Sequence, residues 1–475
     1  MIKRLLLVFY FMIAAYEGKS AGLFRDSTLF SAHQLKSDLQ YFKILMEKAH
    51  PSLYRYVKKD SFNKLFEQAS QRITSATDEF DFFQMLQAIN SKVGCGHTNL
   101  RLSIAAQRKL WARNIPMLPF YISIDSNRLY IQRYIQAPGA AGYRINDEIM
   151  SINGLSAREI LTKTRSLVGS DAHSNAYKDY RLEKGEFNWL YACIYGNHPE
   201  FNFVLKRKGT AISITIKSVV STKTFKPLKE QEIADSLKLS FPPNLRSTAI
   251  LKIRHFKDHD FFTDNRLIFK RLEDQKIEHL VIDLRNNPGG RSDMAIDLMK
   301  HLIGKTFRFS KQMEAVVDIA KFSALFVANK SPSLAVLKEF PHSWHREESV
   351  WSRRQEPYKK QFKGKVFILV NGGTFSSAAL LAIALKTQME CLLIGEESGG
   401  GSWGCNGGKV LNVNLPETGF QLSLPLMWTY AINDLTNTGM GVMPDYYVKW
   451  DIFKVDNPKF QNADPLLKKV AALIR

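Results

Sequence analysis

A serine stands at the corner between a predicted strand and a predicted helix. Val366–Val370 is a continuous apolar run of strand length, two glycines follow it, and residues 377–386 are rich in Ala and Leu, which favour helix. Ser376 therefore falls at the first turn of a helix, where free backbone N–H groups and the positive end of the helix dipole stabilise an oxyanion. This pattern indicates a nucleophile for acyl transfer, although serine is also a common helix cap.

A second glycine turn follows another predicted strand. Residues 280–290 read Leu-Val-Ile-Asp-Leu-Arg-Asn-Asn-Pro-Gly-Gly, and an amphipathic run with Met294 and Leu298 comes next. Glycines at 289 and 290 have no side chains, so a second backbone or a substrate carbonyl can approach them closely. We expect Asp283 and Arg285 to fix this turn rather than to take part in chemistry.

The two segments together resemble a known family. Asp283-Leu-Arg-Asn-Asn-Pro-Gly-Gly and Val370-Asn-Gly-Gly-Thr-Phe-Ser-Ser-Ala are similar to motifs of the C-terminal processing (tail-specific) serine peptidases, the tricorn core and the interphotoreceptor retinoid-binding repeats. Residues 94–100, Gly-Cys-Gly-His-Thr-Asn-Leu, resemble the D-G-H-T-x-L signature of the tricorn-like branch, whose histidine is the general base. The resemblance implies His97 as the base for Ser376. We expect the backbone N–H groups of Gly290 and Ser377 to form the oxyanion hole.

The sequence departs from the family pattern at several positions. Gly401 stands where the processing proteases have their lysine base, which argues against a serine–lysine mechanism. The tricorn-like branch has a glutamate that orients the histidine shortly before a G-V-x-P-D string, but here Asn, Thr and Gly precede Gly441-Val-Met-Pro-Asp445. Asp434, Glu396 and Glu397 are candidate substitutes, and a dyad without an acid is the alternative. Cys95 replaces the usual aspartate, so reduced or absent activity is also an open alternative.

The N-terminus reads as an export signal. Met1-Ile-Lys-Arg is followed by an apolar run from Leu5 to Ala15, which is too short to span a bilayer, and Gly18-Lys-Ser-Ala is a plausible cleavage region. We therefore expect residues 1–20 to be a signal peptide and the protein to be periplasmic or secreted, without stable membrane insertion.

Charge and histidine spacing narrow the class of partners. The formal net charge is +21, but the basic residues are scattered among acidic ones, so we expect contact with an anionic envelope surface and no nucleic acid. His255 and His259 have i, i+4 spacing without an accompanying acid or cysteine pair, so we expect neither a metal nor a cofactor. Cys95 and Cys405 both fall near the predicted cleft, and a disulfide between them is a hypothesis, with buried thiols as the alternative.

The pattern of elements predicts an α/β protein. We assign residues 21–98 to an N-terminal helical cap, 99–220 to a β-rich middle domain, 221–243 to a linker and 244–475 to a peptidase core. Within the middle domain, residues 137–154 resemble the PDZ pattern A-G-L-x-x-G-D-x-I-x-x-I-N-G, with Asn146 in place of a glycine; a structural hairpin is the alternative. The family resemblance implies a ClpP/crotonase-like architecture for the core.

Together these features predict an exported serine endopeptidase that hydrolyses unfolded or C-terminal polypeptide segments through a Ser-His acyl-enzyme mechanism. The alternative is a weakened or inactive member of the family that binds peptide or an apolar ligand, because a fold alone does not decide function.

Overall fold

The N-terminal helices each bury an apolar stripe. The computed structural model describes residues 30–111, 115–136, 142–196, 198–220, 237–257, 260–314, 351–433, 439–451, 454–455 and 463–474. The first helices are α1 (Ala32–Ala49), α2 (Lys59–Arg72) and α3 (Glu79–Lys92). Helix α1 begins with a capping box between Ser31 and Gln34, and His50 is its C-cap, before the proline at 51. Its buried stripe comprises Leu35, Leu39, Phe42, Leu45 and Met46.

The middle of the chain is an antiparallel sheet covered by helices. In chain order its elements are β1 (Asn99–Arg101), α4 (Ile104–Trp111), β2 (Pro116–Met117), β3 (Phe120–Asp125), β4 (Arg128–Tyr134), β5 (Glu148–Ile152), β6 (Leu155–Ser156), α5 (Ala157–Arg165), α6 (Ala176–Arg181), a π-helical turn (Leu182–Glu186), α7 (Phe187–Tyr195), β7 (Glu200–Arg207), β8 (Thr210–Lys217) and β9 (Val219–Val220). The main sheet has the order β3-β4-β5-β7-β8. Asn146 has a φ of 71°, the left-handed conformation expected where it replaces glycine.

A mostly parallel sheet forms the C-terminal half. In chain order the elements are β10 (Leu237–Ser240), β11 (Thr248–Ile253), α8 (Phe261–Asp274), β12 (His279–Asp283), α9 (Ser292–Leu302), β13 (Ser310–Glu314), β14 (Lys365–Val370), α10 (Ser377–Gln388), β15 (Cys391–Gly395), β16 (Gly404–Asn414), β17 (Gln421–Ala431), β18 (Tyr446–Tyr447) and α11 (Pro465–Leu473). The sheet order is β10-β11-β12-β14-β15-β18, and in this sheet the pairs β11–β12, β12–β14, β14–β15 and β15–β18 are parallel.

Residues 237–240 correct one expectation, because the sequence places them in a linker. They form β10, an antiparallel edge strand beside β11. The alternation of Leu237 and Leu239 with polar residues explains this strand, since both leucines pack against the core.

The parallel sheet is buried on both faces, which explains its continuous apolar strands. Leu280 and Ile282 of β12 pack with residues of α8, α9 and α10, whereas Val281 packs on the opposite face with α11. The mixed α/β fold predicted from the sequence is thereby confirmed. Across the described ranges, no helix has the length and apolar character needed to cross a bilayer.

A separate antiparallel sheet connects the front of the chain to this core. Strand β17 pairs with β1, β13 and β16, and Leu100 of β1 lies opposite Leu422 of β17. This pairing fixes the turn that precedes β1, residues 94–98, against the C-terminal half of the molecule.

Candidate active site

Ser376 occupies a strained corner between β14 and α10. Its φ of 53° and ψ of −130° lie in a region that residues other than glycine seldom adopt, at a cost of about 1–3 kcal/mol. The flanking residues 370–375 and 377–385 are buried, whereas Ser376 itself is partly exposed. The corner therefore presents the hydroxyl at the surface on rigid surroundings, as the strand-turn-helix pattern predicts.

The two glycine turns are bound to each other. Phe375 N donates to Asn287 O at 2.9 Å, and Thr374 Oγ1 donates to Leu284 O at 2.8 Å. Gly289, at a φ of 90°, approaches so closely that a Cβ on it would lie 2.8 Å from Ser376 Cβ. Only glycine fits this approach, which explains the glycine in the turn.

His97 lies beside Ser376. The distance from His97 Nε2 to Ser376 Oγ is 3.1 Å, within hydrogen-bond reach. The imidazole stacks on the ring of Phe375, with centroids 4.6 Å apart, and Tyr177 stacks on Phe375 at 4.3 Å. This stack of three rings restricts the orientation of the imidazole. With the proton on Nδ1, Nε2 is free to accept from the serine hydroxyl.

The surroundings of His97 favour the neutral imidazole. The residue as a whole is partly exposed, but burial of the imidazole lowers the pKa of His97 to about 4. The other ring nitrogen, Nδ1, is buried and has no hydrogen-bond partner among the described residues. The neutral form needed to accept a proton is therefore present at neutral pH.

Three carboxylates are candidates for orienting His97, and the structure describes two of them. Asp434 lies outside the described residues. Glu396 forms an ion pair with Lys449 at 3.7 Å, and Glu397 Oε1 accepts from the N–H of Gly441 at 2.6 Å. Since His97 Nδ1 has no partner in the described part of the chain, the structure brings neither glutamate to it.

Gly290 and Ser377 meet beside the serine. Ser377 Oγ donates to Gly290 O at 2.8 Å, and Gly290 has a φ of 137°. The preceding glycine, Gly289, would place a Cβ 2.8 Å from Ser377 N, so the backbones of the two turns are in direct contact. Ser377 is the first residue of α10, and its N–H has no intrahelical acceptor.

Sequence reasoning missed Asp171, which lies between α5 and α6. The side chain is 2% exposed, and its Oδ1 accepts from the N–H of Gly96, next to His97, at 2.8 Å. Burial raises the pKa of Asp171 to about 7, while the N–H groups of Gly96 and, more weakly, Gly401 lower it. The only signal in the sequence is an aspartate in a run of small residues, Gly169-Ser-Asp-Ala, which gives no indication of its long-range contact.

The cysteines are free thiols, which corrects the disulfide hypothesis. Cys95 and Cys405 are both buried and unbridged, and Thr98 Oγ1 donates to Cys95 Sγ at 3.2 Å. Burial raises the pKa of Cys95 to about 12 and that of Cys405 well above its usual value. Protonated, buried thiols of this kind are unreactive.

The candidate active site lies outside the large cavity beside α8. A cavity of about 1110 Å³ lies between α8 and residues 358–364, and its lining includes neither Ser376 nor His97. The site lies instead at the carboxyl end of β14, where ligands of parallel sheets commonly bind.

A serine hydroxyl within hydrogen-bond reach of a neutral imidazole is the pairing that serine-type peptidases use. Residues 247–448 match the sequence model of peptidase family S41. The chain is 24% identical over 216 residues to the carboxy-terminal processing protease CtpB of Bacillus subtilis (strain 168), over 45% of this chain. The matched part spans 38% of the length of CtpB.

Solved structures agree on the fold. The structure of mature CPAF complexed with lactacystin superimposes with a TM-score of 0.64 at 15% identity, covering 93% of this chain and 98% of that one. Mature CPAF alone gives a TM-score of 0.60 at 15% identity, covering 89% and 94%. At this level of identity the likeness establishes a common fold, and the chemistry rests on the residues described above.

Proposed function

We propose that the protein hydrolyses peptide bonds through an acyl-enzyme formed on Ser376. The observation that carries this proposal is the 3.1 Å distance between His97 Nε2 and Ser376 Oγ, with the imidazole neutral at physiological pH. A nucleophile and a base in this relation are the minimum needed for covalent catalysis.

The reaction follows from the geometry. Ser376 Oγ attacks the carbonyl carbon of the substrate while its proton moves to His97 Nε2. The resulting oxyanion accepts hydrogen bonds from the N–H groups of Gly290 and Ser377, and the imidazolium then protonates the departing amine. A water molecule releases the acyl group in the reverse sequence, with His97 again as the base. For the acid that would orient His97 through Nδ1, the proposal keeps two alternatives: Asp434, or a dyad without an acid.

The substrate class is proposed from the relatives and from the middle domain. CtpB is by its name a carboxy-terminal processing protease, and we infer that this chain also acts on C-terminal or unfolded polypeptide segments. The PDZ-like pattern around Asn146 supports capture of an extended peptide by strand addition. The apolar run near the N-terminus supports export, and the charge of +21 supports contact with an anionic envelope surface.

A binding protein without catalysis is the second candidate. The unpartnered His97 Nδ1 in the described part of the chain favours it, because an unsupported imidazole is a weaker base and is held less firmly.

Covalent labelling separates the two candidates. The wild-type protein, treated with a fluorophosphonate, is expected to gain one adduct on Ser376 and to cleave unstructured peptides. S376A should lose both activities. S310A is the matched control, because the Ser310 hydroxyl is buried and has no partner among the described residues. Labelling that persists in S376A would place the nucleophile elsewhere, and peptide binding without labelling or cleavage would favour the binding protein.

A further inference from the structure

Asp171 joins a segment of the middle domain to both loops of the candidate site. The segment 169–173 lies between α5 and α6, far in sequence from Ser376. The Asp171 carboxyl is almost completely buried, yet no cation lies near it within the described ranges. A buried acid without a cation costs folding free energy, so fold stability alone does not explain this residue.

The first loop that Asp171 holds is the one that carries His97. Asp171 Oδ1 accepts from the N–H of Gly96 at 2.8 Å, and the neighbouring Ala172 N donates to Gly94 O at 3.0 Å. A Cβ on Gly96 would lie 2.7 Å from Phe375 Cζ, so this turn is also pressed against the ring on which the imidazole stacks. The position of His97 therefore depends on the 169–173 segment.

The second loop is the glycine loop 399–401, which supports Ser376. The N–H of Gly401 faces the Asp171 carboxyl and lowers its pKa, and a Cβ on Gly401 would lie 3.6 Å from Asp171 Cβ. Gly399 N and Gly400 N both donate to Thr374 O, at 3.0 and 3.1 Å. A Cβ on Gly400 would lie 3.2 Å from Ser376 N, so the loop packs directly on the serine corner.

We propose that Asp171 is a positioning residue, which sets the separation between His97 and Ser376 because its carboxyl is hydrogen-bonded to the turn of the first and its side chain packs against the supporting loop of the second. The proposal rests on the proposed function. Asp171 does not act as the histidine-orienting acid, because His97 Nδ1 has no partner in the described residues and Asp171 Oδ1 is bonded to Gly96.

The rate constant for labelling by a fluorophosphonate, per folded molecule, tests the proposal. D171A removes the acceptor, and we expect labelling to slow about 100-fold, since a displacement of about 1 Å has an effect of this size. D171N keeps Oδ1 as an acceptor for Gly96 N–H, so we expect it to stay within about tenfold of the wild type. Rescue by this conservative variant separates positioning from a requirement for charge.

Asp38 supplies the matched control. It is also fully buried, and its carboxyl accepts from the backbone N–H groups of Glu417 and Thr418, away from the site. D38A loses a comparable tether and is expected to be less stable but to label at the wild-type rate. If D171A does not accumulate as folded protein, D171S replaces it, because its hydroxyl is one atom shorter than the carboxyl.

Labelling of D171A at the wild-type rate, or equal slowing by D38A and D171A, would overturn the proposal. If the wild-type protein is not labelled at all, the proposed function fails, and a crystal structure of D171A becomes the test. A His97 displaced from Ser376 in that structure would support positioning by Asp171. Retention of the 3.1 Å separation would refute it.

Discussion

His97 Nε2 lies 3.1 Å from Ser376 Oγ, although 279 residues separate the two in sequence. The pairing of β1 with β17 places the histidine turn against the core, and the stack on Phe375 fixes the imidazole. Every feature of the proposed chemistry depends on this meeting of two loops. The contacts that stabilise it, the pairing of β1 with β17 and the stack on Phe375, take no part in the reaction.

The pH below which the reaction stops should lie well below the ordinary pKa of histidine. Because enclosure lowers the pKa of His97 to about 4, the neutral base persists as the pH decreases and is lost only as the pH falls through that value. The labelling rate measured from pH 3 to 9 should therefore rise near pH 4 rather than near about 6.5.

His301 provides the control for this profile, since its ring also stacks on an aromatic side chain, Phe269, at 4.4 Å. H97Q should lose about 10²–10⁴-fold in rate, whereas H301Q should keep the wild-type profile. An acid limb near 6.5 would instead show that an unpaired, solvated imidazole or a nearby carboxylate governs the reaction.

Substitution of Gly289 should disable the site by steric displacement. A Cβ there would lie 2.8 Å from Phe375 O, from Ser376 Cβ and from Ser377 N, so both the nucleophile and the proposed oxyanion hole must shift. We expect G289A to reduce the labelling rate by at least about 100-fold.

Gly209 allows the backbone strain to be separated from the collision. It has the same φ of 90°, but nothing lies within 4 Å of the position of its Cβ. G209A should cost about 1–2 kcal/mol of stability and leave the labelling rate unchanged. Equal losses of labelling in G209A and G289A would mean that strain, rather than contact with Ser376, explains the effect.

Arg285 should contribute to stability through a buried ion network. Its guanidinium contacts Asp283 at 2.7 Å and also Asp464, the cap of α11, at 2.7 Å, and all three side chains are at most 5% exposed. R285A removes the cation that contacts both buried carboxylates, which should lower the free energy of unfolding by about 3–5 kcal/mol. Denaturant titration measures this change.

Arg291 is the exposed counterpart of Arg285. It pairs with Asp293 at 2.6 Å, but both side chains are more than two-fifths exposed, so R291A should cost only about 0–1 kcal/mol. A loss below about 1 kcal/mol for R285A as well would show that relaxation or water solvates the two carboxylates.

The sequence predicted those parts of the site whose conformation depends on neighbouring residues. The strand at Val366–Val370, the corner at Ser376 and the glycines at 289 and 290 are each defined by residues within one turn of each other. By contrast, the assignment of His97 came from a family resemblance, since no periodicity relates residues so far apart.

The parts that the sequence did not predict are long-range. The β16–β17 hairpin pairs with β1 through β17. It begins Gly-Cys-Asn-Gly-Gly, a composition with low β propensity, so it is stabilised by hydrogen bonding between the strands rather than by the propensity of these residues. Asp171 was missed for the same reason, because its only strong contact is with a turn 75 residues earlier. Cys95 and Cys405 were correctly placed near the site, but sequence alone could not decide whether their sulfurs are bonded.

The buried carboxyl of Asp171 should make stability depend on pH. Burial raises its pKa in the folded protein to about 7, well above the ordinary value for aspartate, so the folded state binds the proton more tightly than the unfolded state. The free energy of unfolding contributed by this group therefore falls as the pH rises from about 4 to about 7, by at most about 1.4 kcal/mol for each pH unit. The D171N variant has no titrating group at this position, so its stability lacks this dependence on pH.

Comparison of D171N with the wild type isolates the effect. His97 has the opposite sign, because its lowered pKa adds stability as the pH rises, but its contribution is present in both proteins and cancels. The groups that face Asp171 are the Cys95 and Cys405 thiols and the Tyr56 and Tyr177 hydroxyls. All four have raised pKa values and stay neutral throughout. Urea unfolding at pH 4.5 and pH 8 should therefore show D171N gaining stability relative to the wild type at the higher pH. A difference that is constant across this range would mean that Asp171 is ionised in the folded state at both values, and that its contacts with Gly96 and Gly401 outweigh the cost of burial.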